Sequence, residues 1–497
     1  MAEKFFWADA VAENIIKQKG DKEEYVCASG ITPSGQVHIG NFREVITTFM
    51  VVKALRDKGK KVRFIYSWDD YDRFRKVPKG VDVNYEKYLG MPISDIPSPN
   101  NPNMTYSEYN EKVFEKSLSK IDIQAEYIYQ NKMNKKSSYA DLIKLSLEKR
   151  RKIMDILDKY RREPLAEDWM PIMIYCDKCK KDMTKILSTD GYNIEYECKC
   201  GYKETFDIRK KGIVSIKWRV DWPLRWYYEG VDFEPGGIDH SVHGGSFTTS
   251  KEISQEIFGF EPPIYQFYEW ISVKGGGEFS SSSGNAMTLD EVESVYESSI
   301  LRYLFTGTKP KSKFQISFDN DVIKIYEDFD RLETKYFEEK VNPQEKMIYE
   351  YSVLNIPKLK PEREGFRHLI TLVQLGKTND LNSESKLRAE KVSNWLSKYA
   401  GDDMKFSVQE KITENFTDKE KEVLLELKKV LEIQEYETDK EMLGEFYEIF
   451  EKTGITNKEF FDISYRAIIN KSKGPRLAGF IRSIGQDKII ELLNTIK

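Results

Sequence analysis

The spacing of apolar positions changes once between Tyr25 and Met50, and the change marks a turn. Tyr25 to Ala28 is a short apolar run, Gly30, Pro33, Ser34 and Gly35 break it, and Phe42, Val45, Ile46, Phe49 and Val52 then recur at helical spacing. This predicts strand, tight turn and helix. The helical pattern stops at Asp57, Lys58 and Gly59, and a second apolar run from Val62 to Ser67 follows, so the unit reads as βαβ. Its turn lies at the carboxyl end of a strand, where open α/β sheets take their ligands. Unpaired N–H groups and the helix dipole suit that turn to a nucleotide triphosphate.

The same reading extends along the chain. Met1 to Lys22 predicts an amphipathic helix with Phe5, Phe6, Val11, Ile15 and Ile16 on one side. Helical spacing resumes at Ser107, a short strand ends near Gln130, and Ala140 to Arg162 predicts one long helix with a basic face. Gly212 to Lys217 is strand-like and Ile264 to Val273 is largely apolar. Thr288 and Glu291 form a capping box, as do Thr417 and Glu420 within a C-terminal third that reads as helices throughout.

Four of the five cysteines interrupt this pattern. Cys176 and Cys179 are spaced CxxC, Cys198 and Cys200 CxC, and four thiolates satisfy a closed tetrahedral Zn²⁺ site. The expected architecture is α/β: a Rossmann-type parallel-sheet catalytic domain in two halves, 1–170 and 213–293, with a zinc-ribbon-like insertion at 171–212 and a helical region at 294–497. Cys27, in the first apolar run, is expected in the core.

At 497 residues the chain is too long for one core, and with 32% charged residues but a net charge of −4 any nucleic-acid contact must be local. No apolar run of about 18 residues exists, which excludes a membrane span. The first residues lack a signal-peptide pattern, so a cytoplasmic protein is expected, with a monomer assumed.

Several strand ends carry candidate chemistry. At the first turn the His38 imidazole can donate to phosphate oxygens, and Gly40, without a Cβ, admits a flat ring between His38 and Asn41. Asp69, Asp70 and Asp72 follow the second strand; they suit a cation, or form a solvated loop. Trp218, Asp221, Trp222, Arg225 and Trp226 fall within nine residues, and rings around a carboxylate suit an alkyl ammonium, or make a buried aromatic cluster. His240 follows Gly236 and Gly237 and precedes Gly244 and Gly245. Ser280, Ser281, Ser282 and Ser283 follow three glycines and can hold phosphates, or serve as a linker.

In this order the motifs resemble a known family. PSGQVHIGN is similar to the HIGH signature of class I aminoacyl-tRNA synthetases, and Lys274 to Asn285 to their KMSKS loop. With WDDYDRFRKVP, WRVDWPLRW and GIDHSVHGGS, the set resembles class I lysyl-tRNA synthetases from Phe6 to about Arg331. The resemblance implies that Pro33, His38, Gly40 and Asn41 contact ATP, carried with Mg²⁺, and that Ser280 to Ser283 form the phosphate loop. It further implies that Gly30, Thr32, Trp218, His240 and Tyr268 line a lysine pocket. Asp69, Asp70 and Asp221 are the candidate partners of the lysine ammonium.

The implied partners are L-lysine, ATP and tRNA(Lys), its anticodon on the C-terminal helices. A cluster of Tyr465, Arg466, Lys471, Lys473, Arg476 and Arg482 suits phosphates and stacked bases, or is a surface basic loop. The loop departs from the general motif at Glu278 and Ser283, where lysines stand, and leaves Lys274 as the nearest ammonium. Two other readings share these residues. One is a nucleotidyltransferase that makes a small-molecule adenylate, for which the helical third is superfluous; the other is a non-catalytic synthetase paralogue that binds tRNA or lysine as a regulator.

Overall fold

The computed structural model describes residues 6–275 and 287–496. Its central sheet has five parallel strands: β1 (Glu24–Ile31), β2 (Lys61–Trp68), β3 (Glu126–Tyr129), β4 (Phe233–Gly237) and β5 (Ile264–Tyr268). The order is β5-β4-β1-β2-β3, so the winding reverses at β1 and a crevice opens between the carboxyl ends of β1 and β4. Tyr25, Cys27, Phe64 and Ile65 are buried, as strands covered on both faces require.

Helix α1 (Trp7–Lys19) is shorter than the pattern from Met1 to Lys22 implied, because Gly20 takes φ +78° and ends it. Phe5 lies outside the described residues. α2 (Ile39–Asp57) is buried on nearly every side, including Arg43, whose guanidinium donates to the carbonyls of Lys309 (2.9 Å) and Pro310 (3.0 Å). The single helix expected from Ala140 to Arg162 is two, Ala140–Glu148 and Arg150–Asp158. Lys149 leaves helical geometry at φ −92°, ψ 13°, which turns the second segment onto the helix Ser246–Phe258.

The cysteine region folds as an antiparallel three-stranded sheet, Thr184–Asp190, Asn193–Cys198 and Lys203–Asp207. The tryptophan-rich stretch is a helix, α3 (Trp218–Glu229), despite Pro223 inside it. Pro223 has no N–H for the Arg219 carbonyl, and the Ser250 hydroxyl donates to that carbonyl instead (3.3 Å).

Two compact units result. Residues up to Ile316 with Glu339–Ile356 form the first, and Ser317–Glu338 with the chain from Pro357 form the second. The helix Ser298–Thr306, grouped by its pattern with the C-terminal helices, lies in the first unit, where buried Arg302 donates to the carbonyls of Ile121 (2.6 Å) and Ser352 (2.7 Å). The second unit is helical around buried Leu424, Leu427, Phe446, Phe460 and Ile481. Both sequence-predicted boxes form: Glu291 and Glu420 each accept from the N–H of the capping threonine. No described helix is long and apolar enough to cross a membrane.

Candidate active site

The turn after β1 is held by side chains as well as backbone. His38 caps α2, its Nδ1 accepting from the Gly40 N–H (3.1 Å), while the Asn41 side chain accepts from the His38 N–H (3.2 Å). A ring nitrogen that accepts carries no proton, so the proton sits on Nε2. His38 is 8% exposed, and burial lowers its pKa to about 4, leaving a neutral donor near pH 7. The Pro33 carbonyl accepts from the Asn110 amide (3.4 Å) and that of Ser34 from the Tyr106 hydroxyl (3.2 Å). Ser280, Ser281, Ser282, Ser283 and Glu278 lie outside the described residues. Met287, just after them, accepts from the Ile39 N–H (2.9 Å), and Thr288 bridges to His38. Lys274 donates its N–H to Ile316 (3.0 Å).

Beside this turn, between β1 and β4, lies a cavity lined by Gly30, Glu44, Asp69, Trp218, Trp222, Arg225, Glu234 and His240 among others. The tryptophans come from one face of α3: Trp218 stacks on Trp222 at 5.0 Å, and Trp222 tilts against Trp226 at 5.0 Å. His240 adjoins both of the first two, at 6.1 and 5.6 Å. Gly30 is needed because β1 and β2 approach closely: a Cβ there would meet the Ser67 carbonyl oxygen at 2.8 Å.

The carboxylates divide by partner. Arg225 pairs with Asp69 (2.5 Å) and with Asp221 (2.8 Å), and its guanidinium stands 5.4 Å from the Trp218 ring centroid. Asp70 accepts from the backbone N–H (2.7 Å) and side-chain amide of Asn131. All three sequence candidates for an ammonium partner are thus engaged, two of them by one buried cation.

Two other acids face the cavity with only neutral donors. Glu44 accepts from Ser29 Oγ (3.0 Å), the Gly30 N–H (2.8 Å) and the Tyr268 hydroxyl (2.8 Å). Glu234 accepts from Trp226 Nε1 (2.5 Å). Burial pushes Glu44 up to about 7 and Glu234 up to about 8, each carboxyl opposed further by nearby acids. Of the residues expected around lysine, Gly30, Asp69, Trp218 and His240 line this cavity and Tyr268 reaches it through Glu44. Thr32 opens instead onto a neighbouring cavity with Ser34, Asp72, Arg75 and Lys76. Glu44 and Glu234 were not among the residues expected from sequence: Glu44 stands beside Arg43 and Glu234 two residues after Asp232, so neither is marked out by its neighbours.

The four thiols are also brought together. Cys176 and Cys200 Sγ lie 3.7 Å apart, Cys179 and Cys198 Sγ 3.6 Å, and all four within 4.8 Å of one another. Thiolates about 2.3 Å from a tetrahedral zinc ion have sulfur–sulfur edges of about 3.8 Å, so the donor set fits that metal. Two of the five cations in the C-terminal cluster are paired, Arg466 with Glu414, Glu420 and Asp462 and Arg482 with Asp439, and Tyr465 is buried. Lys473 and Arg476 stay exposed.

A turn at the switch point of a parallel sheet, with an acidic, tryptophan-walled cavity beside it, is where open α/β sheets take their ligands. Residues 5–355 match the family described as tRNA synthetases class I (K), and the chain belongs to that family. It is 43% identical to a lysine–tRNA ligase of Borreliella burgdorferi, over 97% of each chain. It is 40% identical to one of Pyrococcus horikoshii, over 98% of this chain and 99% of that one, and 38% identical to one of Treponema pallidum, over 98% of each.

Proposed function

We infer that the protein is a lysine–tRNA ligase, which activates L-lysine with ATP and transfers the lysyl group to the 3′ end of tRNA(Lys). The observation that carries this reading is the tryptophan-walled cavity whose surplus acids, Glu44 and Glu234, lack a cationic partner. Lysine enters with its ammonium toward these carboxyls and its stem on the tryptophan faces. Its carboxylate then faces the turn that holds the nucleotide.

In the first step a carboxylate oxygen bonds to the α-phosphorus of ATP, the bond to the bridging oxygen breaks, and pyrophosphate leaves. In the second a ribose hydroxyl of the tRNA bonds to the lysyl carbonyl and AMP leaves. Neither step uses a protein nucleophile, so position and charge stabilisation are the protein's work. Mg²⁺ bound with ATP supplies charge neutralisation at the phosphates. Arg75 and Lys76, exposed beside Thr32 and Ser34, offer cations where the serine loop has no lysines.

ATP–pyrophosphate exchange with each amino acid in turn, with and without tRNA, tests the reading. Lysine alone is expected to drive exchange. Exchange driven by a different amino acid, or none in either condition, would overturn it.

The four-cysteine module holds a structural Zn²⁺ on Cys176, Cys179, Cys198 and Cys200. Stripping the metal with a strong chelator is expected to remove one zinc per chain in native mass spectra and to open 171–212 to protease, while the C-terminal helices keep their protection. A zinc-free chain with unchanged protease resistance would count against a structural metal.

A further inference from the structure

Trp218 is a wall between two cavities. One holds the acids just described. The other, of about 380 Å³, is lined by Tyr160, Arg161, Trp169, Lys217 and Arg219, with Gly244 at its edge, and no acidic side chain lines it. Gly244 takes φ +70°, and a Cβ there would come within 3.0 Å of Tyr160, so the glycine turn is pressed onto the ring.

The three cations sit together with one long ion pair, Arg161 to Asp158, among them. Lys217 Nζ stands 4.9 Å from the Trp169 ring centroid and makes no ion pair or hydrogen bond among the described residues. Burial lowers its pKa, and Asp168 offsets that only from a distance. Arg219 donates to the Gly244 carbonyl (3.0 Å) and Thr249 Oγ1 (3.1 Å), and burial, then the neighbouring Arg161, disfavour its charge. Arg161 meets Asp158 at 3.9 Å, and its Nε donates to the Glu163 carbonyl (3.2 Å). Like charges gathered in a partly desolvated hollow raise the free energy of the empty site, and an anion relieves them.

Cations interleaved with flat rings, free of acids, fit a single-stranded nucleic acid: phosphates meet the ammonium and guanidinium groups while bases stack. We propose that this cavity holds the unpaired 3′-terminal nucleotides of the tRNA, with phosphates on Lys217, Arg161 and Arg219 and a base against Trp169 or Tyr160. The proposal rests on the lysine–tRNA ligase reading, and the shared wall gives it a chemical rationale: the terminal ribose has to reach a lysyl carbonyl held on the other side of Trp218.

The test compares the affinity of the full chain for intact tRNA(Lys) and for the same tRNA lacking its last three nucleotides, and needs no turnover. Wild type is expected to prefer the intact tRNA by roughly tenfold or more, as one stacked base with its phosphates provides. Lys217→Gln and Arg161→Glu should each shrink that preference to about twofold or less, with affinity for truncated tRNA and for lysine unchanged, and Lys217→Arg should restore it. The proposal is overturned if wild type shows no preference, if the variants keep it, or if they weaken both tRNAs equally. Failure of wild type to bind lysine would instead remove the ligase reading beneath it.

Discussion

Replacing Glu44 by glutamine is expected to raise the Kd for lysine about 100-fold or more while leaving that for ATP within about threefold, since truncating one partner of a buried charge pair costs about 2–5 kcal/mol. Glutamine is nearly isosteric, so the carbonyl oxygen of the new side chain can still accept from Ser29 and Gly30, which Glu44 meets at 3.0 and 2.8 Å. Its amide cannot neutralise an ammonium. The Asp69 and Asp221 carboxylates, already paired with Arg225, cannot take over without leaving that buried cation short of charge. Calorimetric titration of both ligands reads the effect. Equal weakening of lysine and ATP, or lysine binding that persists in Glu44→Gln, would move the ammonium elsewhere in the cavity.

The same carboxyl fixes the sign of a pH effect. Without ligand, Glu44 and Glu234 stand at about 7 and about 8, both raised from 4.5 chiefly by burial. The folded state then holds protons that the unfolded chain releases, so the contribution of these groups to stability is full at low pH and is lost as pH rises from about 4.5 through 8. An ammonium reverses the preference by favouring the ionised form. Lysine binding should therefore release protons at neutral pH, tighten between about pH 6 and 8, and raise the melting temperature more at the upper end of that range. Repeating the titration in buffers of different ionisation enthalpy counts the protons.

Why the sequence revealed the turn but not Glu44 follows from distance along the chain. Gly30, Pro33, Ser34 and Gly35 break the apolar period within a few residues, and His38 with Asn41 has the spacing of a reciprocal cap, so β1, the turn and α2 are legible from local chemistry. The cysteine module is legible for the same reason. Glu44 sits between Arg43 and Val45 on a helix buried on nearly every side, and its meaning comes from Tyr268, 224 residues away. Arg225 shows the same limit. Its spacing from Asp221 is that of an intrahelical ion pair, but the second partner, Asp69, arrives from the end of β2, 156 residues away, so that both acids share one buried cation. The C-terminal cluster shows a related limit: Arg466 counts as a basic residue in sequence, yet Glu414 and Glu420 reach it from other segments and offset its charge.

His38 is expected to separate the fold of the turn from its chemistry. Asparagine is among the best helix N-caps, so His38→Asn should melt close to wild type, whereas His38→Ala should lose about 1 kcal/mol with the cap. Lysine-dependent exchange should fall by about 10²- to 10³-fold in both variants, because charge that develops on the α-phosphate loses a preorganised donor that the shorter side chain cannot replace. The pH dependence separates them again. Burial holds His38 at about 4, below its ordinary 6.5, so the folded state resists protonation, and the contribution of the imidazole to stability is full above pH 6.5 and lost as pH falls toward 4. His38→Asn should lack that acid-sensitive component, while wild-type exchange shows no His38 titration between about pH 6 and 8. Exchange in His38→Asn as fast as wild type would reduce the imidazole to a helix cap, and the stabilisation of the phosphate would then rest on the backbone N–H groups of the turn alone.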